Sequence, residues 1–116
     1  MKASRNEKMS RSGPLADVRV IDLTAMVMGP YCTQILADMG ADVIKIEPPA
    51  GDSTRYISVA PEPGMSGVFV NVNRGKRSVV LDLRAPAGLE AAQRLIARAD
   101  IVIESFAGGV AARLGI

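Results

Sequence analysis

Residues 18–49, "VRVIDLTAMVMGPYCTQILADMGADVIKIEPP", decide the fold of this chain. The stretch opens and closes with short β-branched runs, "VRVIDLT" and "ADVIKIEPP", which indicate two buried strands. Between them, Gly29-Pro30 predicts the start of a helix and Gly40 predicts its C-terminal cap. Four apolar residues share one face of that helix and are expected to be buried: Cys32, Ile35, Leu36 and Met39. A strand, a helix and a second strand in this order require parallel strands and a right-handed crossover.

The rest of the chain continues this alternation of strands and helices. "SVVLDL" (78–83) and "DIVIES" (100–105) indicate a third and a fourth strand. "SGVFVNVN" (66–73) fits either a strand or a short helical turn, and "GGVAARLGI" (108–116) begins a further helix. The helix at residues 85–99 starts with proline and carries a buried stripe of Leu89, Ala92, Leu95, Ile96 and Ala99. The pattern predicts an α/β fold, with a parallel sheet covered by helices on both faces.

Composition narrows the possible functions. The 116 residues carry a net charge of +2 with two Phe, two Tyr and no Trp, which argues against a nucleic-acid-binding protein. The absence of histidine excludes Ser-His-Asp and Cys-His catalysis within the chain and removes the commonest metal ligand, so no metal site is expected. A single cysteine favours a reducing cytoplasm, and no apolar run is long enough to span a membrane. Residues 1–13 are polar and basic, and they are predicted to form a flexible extension.

Ligands of parallel sheets bind beyond the carboxyl ends of the strands. Here those ends fall at Thr24 with "AMVMG", at Glu47 with the Pro-rich loop, and at residues 82–84 and 104–109. No G-x-G-x-x-G and no G-x-x-x-x-G-K-[ST] motif occurs, so dinucleotide-binding and P-loop functions lose their main support. Gly29 either offers backbone N–H groups to a phosphate or only starts the helix.

A basic cluster of Arg74, Lys76 and Arg77 lies on a turn ahead of the third strand. It is either a solvated turn or a binding site for a phosphorylated ligand, because arginine binds phosphate bidentately and lysine supplies a point charge. Arg84 follows the far end of the same strand, about 20 Å away for six extended residues. The cluster and Arg84 are therefore predicted to lie at opposite ends of the strand unless the chain bends.

Three further side chains in or near the first two strands have structural interpretations. Cys32 has no histidine to activate it and is expected to fill the core. Asp22 and Glu47 lie in or at the ends of buried strands, where a carboxylate is costly unless it is paired. We expect Asp22 to cap the following turn and Glu47 to anchor the Pro-rich loop.

Three stretches carry a resemblance to a known family: "PLADVRVIDLTAMVMGPYCTQILADMGADVIKIEPPAGDSTR" (14–55), "NRGKRSVVLDLRAPAG" (73–88) and "ADIVIESFAGGVAARLGI" (99–116). In this order they resemble the N-terminal part of the family III CoA-transferases (CaiB/BaiF), which include formyl-CoA transferase-like and α-methylacyl-CoA racemase-like enzymes. The resemblance implies that residues 14–116 are the N-terminal part of a Rossmann-like CoA-binding domain. It also implies an acyl-CoA and a carboxylic acid acceptor as substrates, no covalently bound cofactor, and an interlocked homodimer in complete members.

The resemblance also assigns contacts with CoA to individual residues. They are Val27 after the first strand, Lys76 and Arg77 in "NRGKRS", Leu81 and Arg84 near the adenosine and phosphates, Ser105 and Phe106 beside the pantetheine and thioester, and Arg113 near the phosphates. The sequence departs from the family at Ser105, where Asn is usual, and at Ala107-Gly108, where Arg-Pro is common.

The family's reactive residues have no counterpart in these 116 residues. Its transferases use a downstream aspartate that attacks the acyl-CoA thioester and forms a mixed anhydride, whereas its racemases use a downstream His and Asp as bases. We therefore expect a fragment or truncated member without a catalytic residue. The alternatives are a fragment of a racemase-like enzyme and a non-catalytic CoA- or nucleotide-binding module.

Overall fold

A parallel sheet of four strands forms the centre of the molecule. The structure is a computed structural model and describes residues 11–116. Its elements, in chain order, are β1 (Arg19–Leu23), α1 (Met28–Asp38), β2 (Asp42–Glu47), a 3-10 turn (Ser53–Tyr56), α2 (Gly67–Asn73), β3 (Arg77–Val80), α3 (Pro86–Ile96), β4 (Ile101–Glu104) and α4 (Val110–Leu114). The strand order in the sheet is β3-β2-β1-β4. The predicted strand-helix-strand unit is confirmed, because β1 and β2 pair in parallel on either side of α1 in the sequence.

The two faces of the sheet differ in polarity because side chains alternate along each strand. One face is aliphatic, and α3 packs on it through Ala92, Leu95 and Ile96. Of the stripe predicted for that helix, Ala92 is buried and Leu95, Ile96 and Ala99 are half-buried against this core, whereas Leu89 is half-buried outside it. The face toward α1 begins with valines on β1 and β2 and then becomes polar at Asp22, Thr24, Lys45 and Glu47, all of them buried.

The buried face of α1 is not the one predicted from its apolar spacing. Thr33 and Gln34 point inward, whereas Cys32 is exposed and Ile35 and Met39 are 41% and 40% exposed. Of the predicted stripe, only Leu36 packs against the core. The reason is that the sheet beneath the first half of α1 carries the Asp22 carboxylate, to which Thr33 Oγ1 donates a hydrogen bond of 2.6 Å. The prediction that Cys32 fills the core was therefore wrong.

Two later segments also differ from the sequence pattern. The segment 66–73, which fitted either a strand or a helical turn, is helix α2, because Ser66 Oγ accepts a hydrogen bond from the Phe69 amide and caps the helix. The third strand begins one residue earlier and ends at Val80 rather than at residue 83. It ends there because Asp82 closes a turn, in which its carbonyl accepts from the Ala85 amide and its side chain from the Arg84 amide.

The amino-terminal part of the predicted extension, residues 1–10, lies outside the described residues. Arg11 is tied to the sheet, because it donates a 2.7 Å hydrogen bond to the Ala41 carbonyl and pairs with Asp42. A domain boundary at residue 14 stays a prediction. Within residues 11–116, no helix has the length and hydrophobicity needed to cross a bilayer.

Candidate functional site

The carboxyl ends of the strands form one rim of the sheet, as the parallel topology requires. Between the ends of β1 and β2 lies a cleft of about 260 Å³. Its lining comprises Thr24, Ala25, Lys45, Ile46, Glu47, Pro48, Gly51, Asp52 and Ser53. The sheet order reverses between β1 and β4, so the segments that follow these two strands flank the position where doubly wound folds bind ligands.

The segment between β1 and α1, residues 24–27, has an unusual backbone. Met26 adopts a φ of 69°, a left-handed conformation that is uncommon for residues other than glycine. Its thioether accepts a hydrogen bond from Ser53 Oγ at 3.0 Å, and the next residue, Val27, is 45% exposed. The Ala25 amide donates to Ser105 Oγ at 3.1 Å, which joins this segment to the end of β4 across the switch point. Local strain of this kind persists where surrounding contacts impose it.

Lys76 is buried beneath α1 rather than solvated on a turn. Its side chain is 2% exposed, and its Nζ donates to Asp22 Oδ2 at 2.9 Å, to the Pro30 carbonyl at 2.9 Å and to Asn73 Oδ1 at 2.8 Å. Burial lowers the pKa of Lys76 from its usual value, and the interaction with Asp22 offsets only part of this effect. The three protons of the ammonium group are thus already matched by three protein acceptors.

Asp22 caps the turn that follows β1, as predicted. Its Oδ1 accepts hydrogen bonds from the Thr24 amide at 2.8 Å and from Thr24 Oγ1 at 2.5 Å. Burial opposes ionisation of this carboxylate, but the hydrogen bonds from Thr24, Thr33 and Lys76 outweigh it, so the pKa of Asp22 lies below its usual value. The charged form is therefore the one that the fold stabilises.

Glu47 anchors the Pro-rich loop, which confirms the second carboxylate prediction. Arg55 binds both carboxylate oxygens of Glu47 at 2.8 Å, donates to the Gly64 carbonyl and lies 3.8 Å above the centre of the Phe69 ring. Burial opposes ionisation of Glu47, but the bidentate contact with Arg55 overcomes it and holds the pKa of Glu47 below its usual value. Arg55 therefore ties the loop that borders the cleft to the end of β2.

A second lysine links the same loop to the end of β1. Lys45 Nζ donates to the Thr24 carbonyl at 2.8 Å and lies 2.9 Å from Asp52 Oδ2, although the orientation of the second contact is too poor for a hydrogen bond. Both side chains are at most 2% exposed, so water does not solvate either charge. Each charge is stabilised by the opposite charge of its partner instead. Asp52 Oδ1 in turn accepts from the amide and the hydroxyl of Thr54.

The other two cations of the basic cluster pair with different carboxylates. Arg74 binds Asp38 at 2.8 Å on the surface. Arg77 binds Asp42 at 2.8 Å, and the same carboxylate also receives Arg11 and Arg19, all at the amino-terminal edge of the sheet. The cluster is therefore not one assembled clamp, because its members are directed to three separate carboxylates, and of the three cations Lys76 alone is withdrawn from solvent.

The structure separates the residues assigned to CoA by resemblance into two groups. The first group lies at the rim, just after a strand or in the segments beyond it. Its members are Val27, Leu81, Arg84, Ser105, Phe106 and Arg113. Arg84 is 91% exposed, Ser105 and Arg113 are exposed, and Leu81 and Phe106 are half-buried against the aliphatic core. Lys76 and Arg77 lie at the opposite end of β3 from Arg84, in agreement with the separation predicted from the strand length. Contacts of all these residues with CoA stay predictions.

Sequence reasoning missed the partners that hold the rim in place. Lys45 and Asp52 received no role, although a lysine between isoleucines in a buried strand signals a need for a buried carboxylate. Thr33 was overlooked because the apolar spacing of α1 pointed to another face. The position of Lys45 between two isoleucines was the sequence signal from which the Lys45–Asp52 pair could have been predicted.

Comparisons with known proteins agree on one family. The profile of CoA-transferase family III matches residues 15–116. The chain is 50% identical over 101 residues to the succinyl-CoA:mesaconate CoA-transferase of Haloarcula hispanica, an alignment that covers 84% of this chain and 26% of that protein. It is 43% identical over 114 residues to the succinate–glutarate CoA-transferase of Agrobacterium fabrum, covering 92% of this chain and 28% of that protein.

A solved structure shows the same fold. The crystal structure of a CaiB/BaiF family protein from Brucella suis superposes with a TM-score of 0.84 at 41% identity, over 90% of this chain and 29% of that one. The chain thus spans about a quarter of the length of the curated relatives it matches. The predicted α/β fold with a parallel sheet is therefore confirmed. The resemblance to the family III CoA-transferases is confirmed as well. The chain belongs to CoA-transferase family III, the CaiB/BaiF family, and corresponds to the N-terminal portion of its members.

Proposed function

We propose that this chain is the CoA-binding portion of an enzyme that moves CoA between an acyl-CoA and a free carboxylic acid. The match of residues 15–116 to family III carries the proposal, because the similar curated proteins are named for this reaction class. The rim at the carboxyl ends of the strands supports it, since that is where open parallel sheets bind ligands. Relatives named for succinyl-CoA or succinate make succinyl-CoA the first donor to test.

The CoA contacts proposed at the rim have a physical basis in the side chains found there. Arg84 is suited to a phosphate, because its guanidinium is 91% exposed and its nearest carboxylate, Asp82, is 4.0 Å away. Arg113 offers a second exposed cation on α4. Val27 and Phe106 provide apolar surface for the pantetheine arm, and Ser105 fixes the spacing between the segments after β1 and β4. Leu81 is proposed to support the adenosine from the end of β3.

The acyl transfer itself is assigned to no residue of this chain. In the proposed reaction an aspartate supplied elsewhere attacks the thioester carbonyl, the carbon–sulfur bond breaks, and CoA leaves as a thiolate while a mixed anhydride forms. The residues described above would bind and orient CoA during that step. We propose a cytoplasmic setting and a homodimer for the complete protein, and the apolar residues exposed on α1, such as Met28 at 86%, support the homodimer.

Titration calorimetry of the chain with CoA tests the binding proposal. We expect the parent to bind CoA and Arg84→Ala to weaken the affinity about tenfold, as the loss of one charge-assisted hydrogen bond implies. Arg94→Ala is the matched control, because Arg94 is 80% exposed on α3 and lies away from the strand ends. No heat with the parent, or equal affinities for the parent and Arg84→Ala, would contradict the proposal.

An exchange assay with succinyl-CoA and labelled succinate tests the second part. We expect CoA binding without label exchange from the chain alone. Exchange by the chain alone would show that it contains a catalytic residue and would overturn the assignment of chemistry to an aspartate elsewhere.

A further inference from the structure

Lys76 contacts both ends of the rim segment that joins β1 to α1. Asp22 lies just before that segment and the Pro30 carbonyl just after it, and Lys76 Nζ donates to each at 2.9 Å. The lysine itself belongs to a distant part of the chain, one residue before β3 begins at Arg77. Its ammonium group therefore fixes the distance between the end of β1 and the first turn of α1.

The segment between those two anchors needs such support. Met26 holds a left-handed backbone conformation, which relaxes unless surrounding contacts impose it. Asp22 holds Thr24 through its amide and hydroxyl, and Lys45 holds the Thr24 carbonyl from the β2 side. If Lys76 were absent, the carboxylate of Asp22, whose side chain is 0% exposed, would lose its buried counter-charge.

A direct contact between Lys76 and a phosphate fits this geometry poorly. The side chain is 2% exposed, and its three N–H groups point at three protein oxygens. Binding a phosphate would require at least one of these bonds to break inside a site closed to solvent. Such a site favours bonds that are already made over bonds to an arriving ion.

We infer that Lys76 is a positioning residue that holds residues 24–30 in the conformation that presents Val27 and the Ala25–Ser105 bridge to CoA. This inference rests on the proposed function for the identity of the ligand. The holding of the segment is a property of the unliganded chain and can be measured without CoA. A Lys76 variant therefore loosens the rim before any ligand is added.

Hydrogen exchange of the unliganded chain tests the holding. We expect Lys76→Met to speed amide exchange in residues 24–30 about tenfold or more, with little change in α3. Arg74→Met is the matched control, because it removes a cation two residues away that pairs with Asp38 on the surface at 59% and 42% exposure. The control is expected to leave both segments unchanged. Equal acceleration in α3 and in residues 24–30, or no acceleration in residues 24–30, would overturn the inference.

A milder variant keeps the test decisive if Lys76→Met does not fold. Lys76→Gln keeps a polar side chain with N–H donors but removes the charge that pairs with Asp22 at 2.9 Å. We expect faster exchange confined to residues 24–30, by a smaller factor than for Lys76→Met. Unchanged exchange in that segment would overturn the inference by itself.

Calorimetry with CoA at low and high salt separates positioning from phosphate contact. A positioning role predicts that Lys76→Met, or Lys76→Gln in its place, weakens CoA binding by the same factor at both salt concentrations, because the Lys76–Asp22 pair is buried. A phosphate contact predicts a loss that shrinks as salt is added, and that result would overturn the inference. If the parent does not bind CoA, the proposed function fails for this chain, and the exchange experiment still decides whether Lys76 holds the segment.

Discussion

Asp22 and Lys45 lie directly opposite each other on β1 and β2, yet each pairs with a partner outside those strands. Asp22 pairs with Lys76 at 2.9 Å, and Lys45 lies 2.9 Å from Asp52. The two buried charges thus connect the sheet to the start of β3 and to the loop that borders the cleft. Because a buried charge without its partner is strongly unfavourable, this arrangement restricts where those segments can lie.

Acid is expected to destabilise the chain through three carboxylates. For Asp22, Glu47 and Asp52, burial opposes ionisation, but hydrogen bonds and nearby cations outweigh it and lower each pKa. The folded state therefore binds these protons more weakly than the unfolded state. The stabilisation is complete above the ordinary carboxyl pKa of about 4 and is lost as pH falls below it.

Urea unfolding at a series of pH values checks this expectation. The free energy of unfolding should fall between about pH 6 and about pH 3, and Asp22→Asn should show a smaller fall than the parent. Asp17→Asn, which removes an exposed carboxylate, is the control and should follow the parent curve. A free energy of unfolding that is constant across this range would refute the prediction.

Replacing Arg55 should destabilise the loop between β2 and α2. Arg55→Ala removes the bidentate bond to Glu47, the bond to Gly64 and the contact with the Phe69 ring, so we expect a loss of about 2 kcal/mol. Arg55→Lys keeps the charge but not the planar fork, and it should recover only part of the loss. Urea unfolding measures both variants.

A surface ion pair provides the comparison for Arg55. Arg94 lies 4.0 Å from Glu90, with exposures of 80% and 72%, and Arg94→Ala should change stability by less than about 0.5 kcal/mol. Equal losses of stability in Arg55→Ala and Arg94→Ala would mean that the contact between Arg55 and Glu47 does not stabilise the fold.

Gly29→Ala should disturb the start of α1. A Cβ atom at this position would lie 2.6 Å from Thr24 Cγ2, so the helix or the Thr24 turn must shift, at a cost of about 1–3 kcal/mol. Gly67→Ala at the start of α2 is the matched control, because nothing lies within 4 Å of its added methyl group. Thermal unfolding should show a lower Tm for the first variant and an equal or higher Tm for the second. The reverse order would contradict the packing described here.

Ser105 should influence CoA affinity through the segment it holds. Ser105→Ala removes the acceptor of the Ala25 amide, and we expect an affinity loss of about threefold to tenfold, the value of one neutral hydrogen bond. Ser105→Asn introduces the residue that is usual in the family and should retain binding. Calorimetry with CoA measures both, and Ser78→Ala, an exposed serine on β3, is the control. An equal loss of affinity in the control would contradict the assignment of Ser105 to the CoA site.

Cys32 should react with a thiol reagent in the folded chain. The sequence predicted a buried thiol, but the side chain is exposed on the outer face of α1. Titration with a chromogenic disulfide should therefore release one equivalent per chain without denaturant, since the chain contains a single cysteine. Reaction only after unfolding would show that this face of α1 is covered in solution.

The sequence by itself determined the order of the elements, apart from residues 66–73, and the direction of the strands. Proline and glycine placed the ends of α1, proline placed the start of α3, and β-branched runs placed the strands, because these signals act over a few residues. Local chemistry also sufficed for Asp22 and Glu47, since a carboxylate in a buried strand must find donors nearby. The sequence motifs also identified the family, which the match to residues 15–116 confirms.

Only the tertiary structure decided which face of α1 is buried and where Lys76 points. Apolar spacing favoured Cys32 and Met39 for the core, but the carboxylate of Asp22 beneath the helix required a hydroxyl there and brought Thr33 inward. Lys76 lies 54 positions from Asp22 in the chain, so no local pattern could pair them. Such contacts depend on which strands become neighbours, and the free energy of pairing buried charges then fixes side chains that the sequence pattern leaves undetermined.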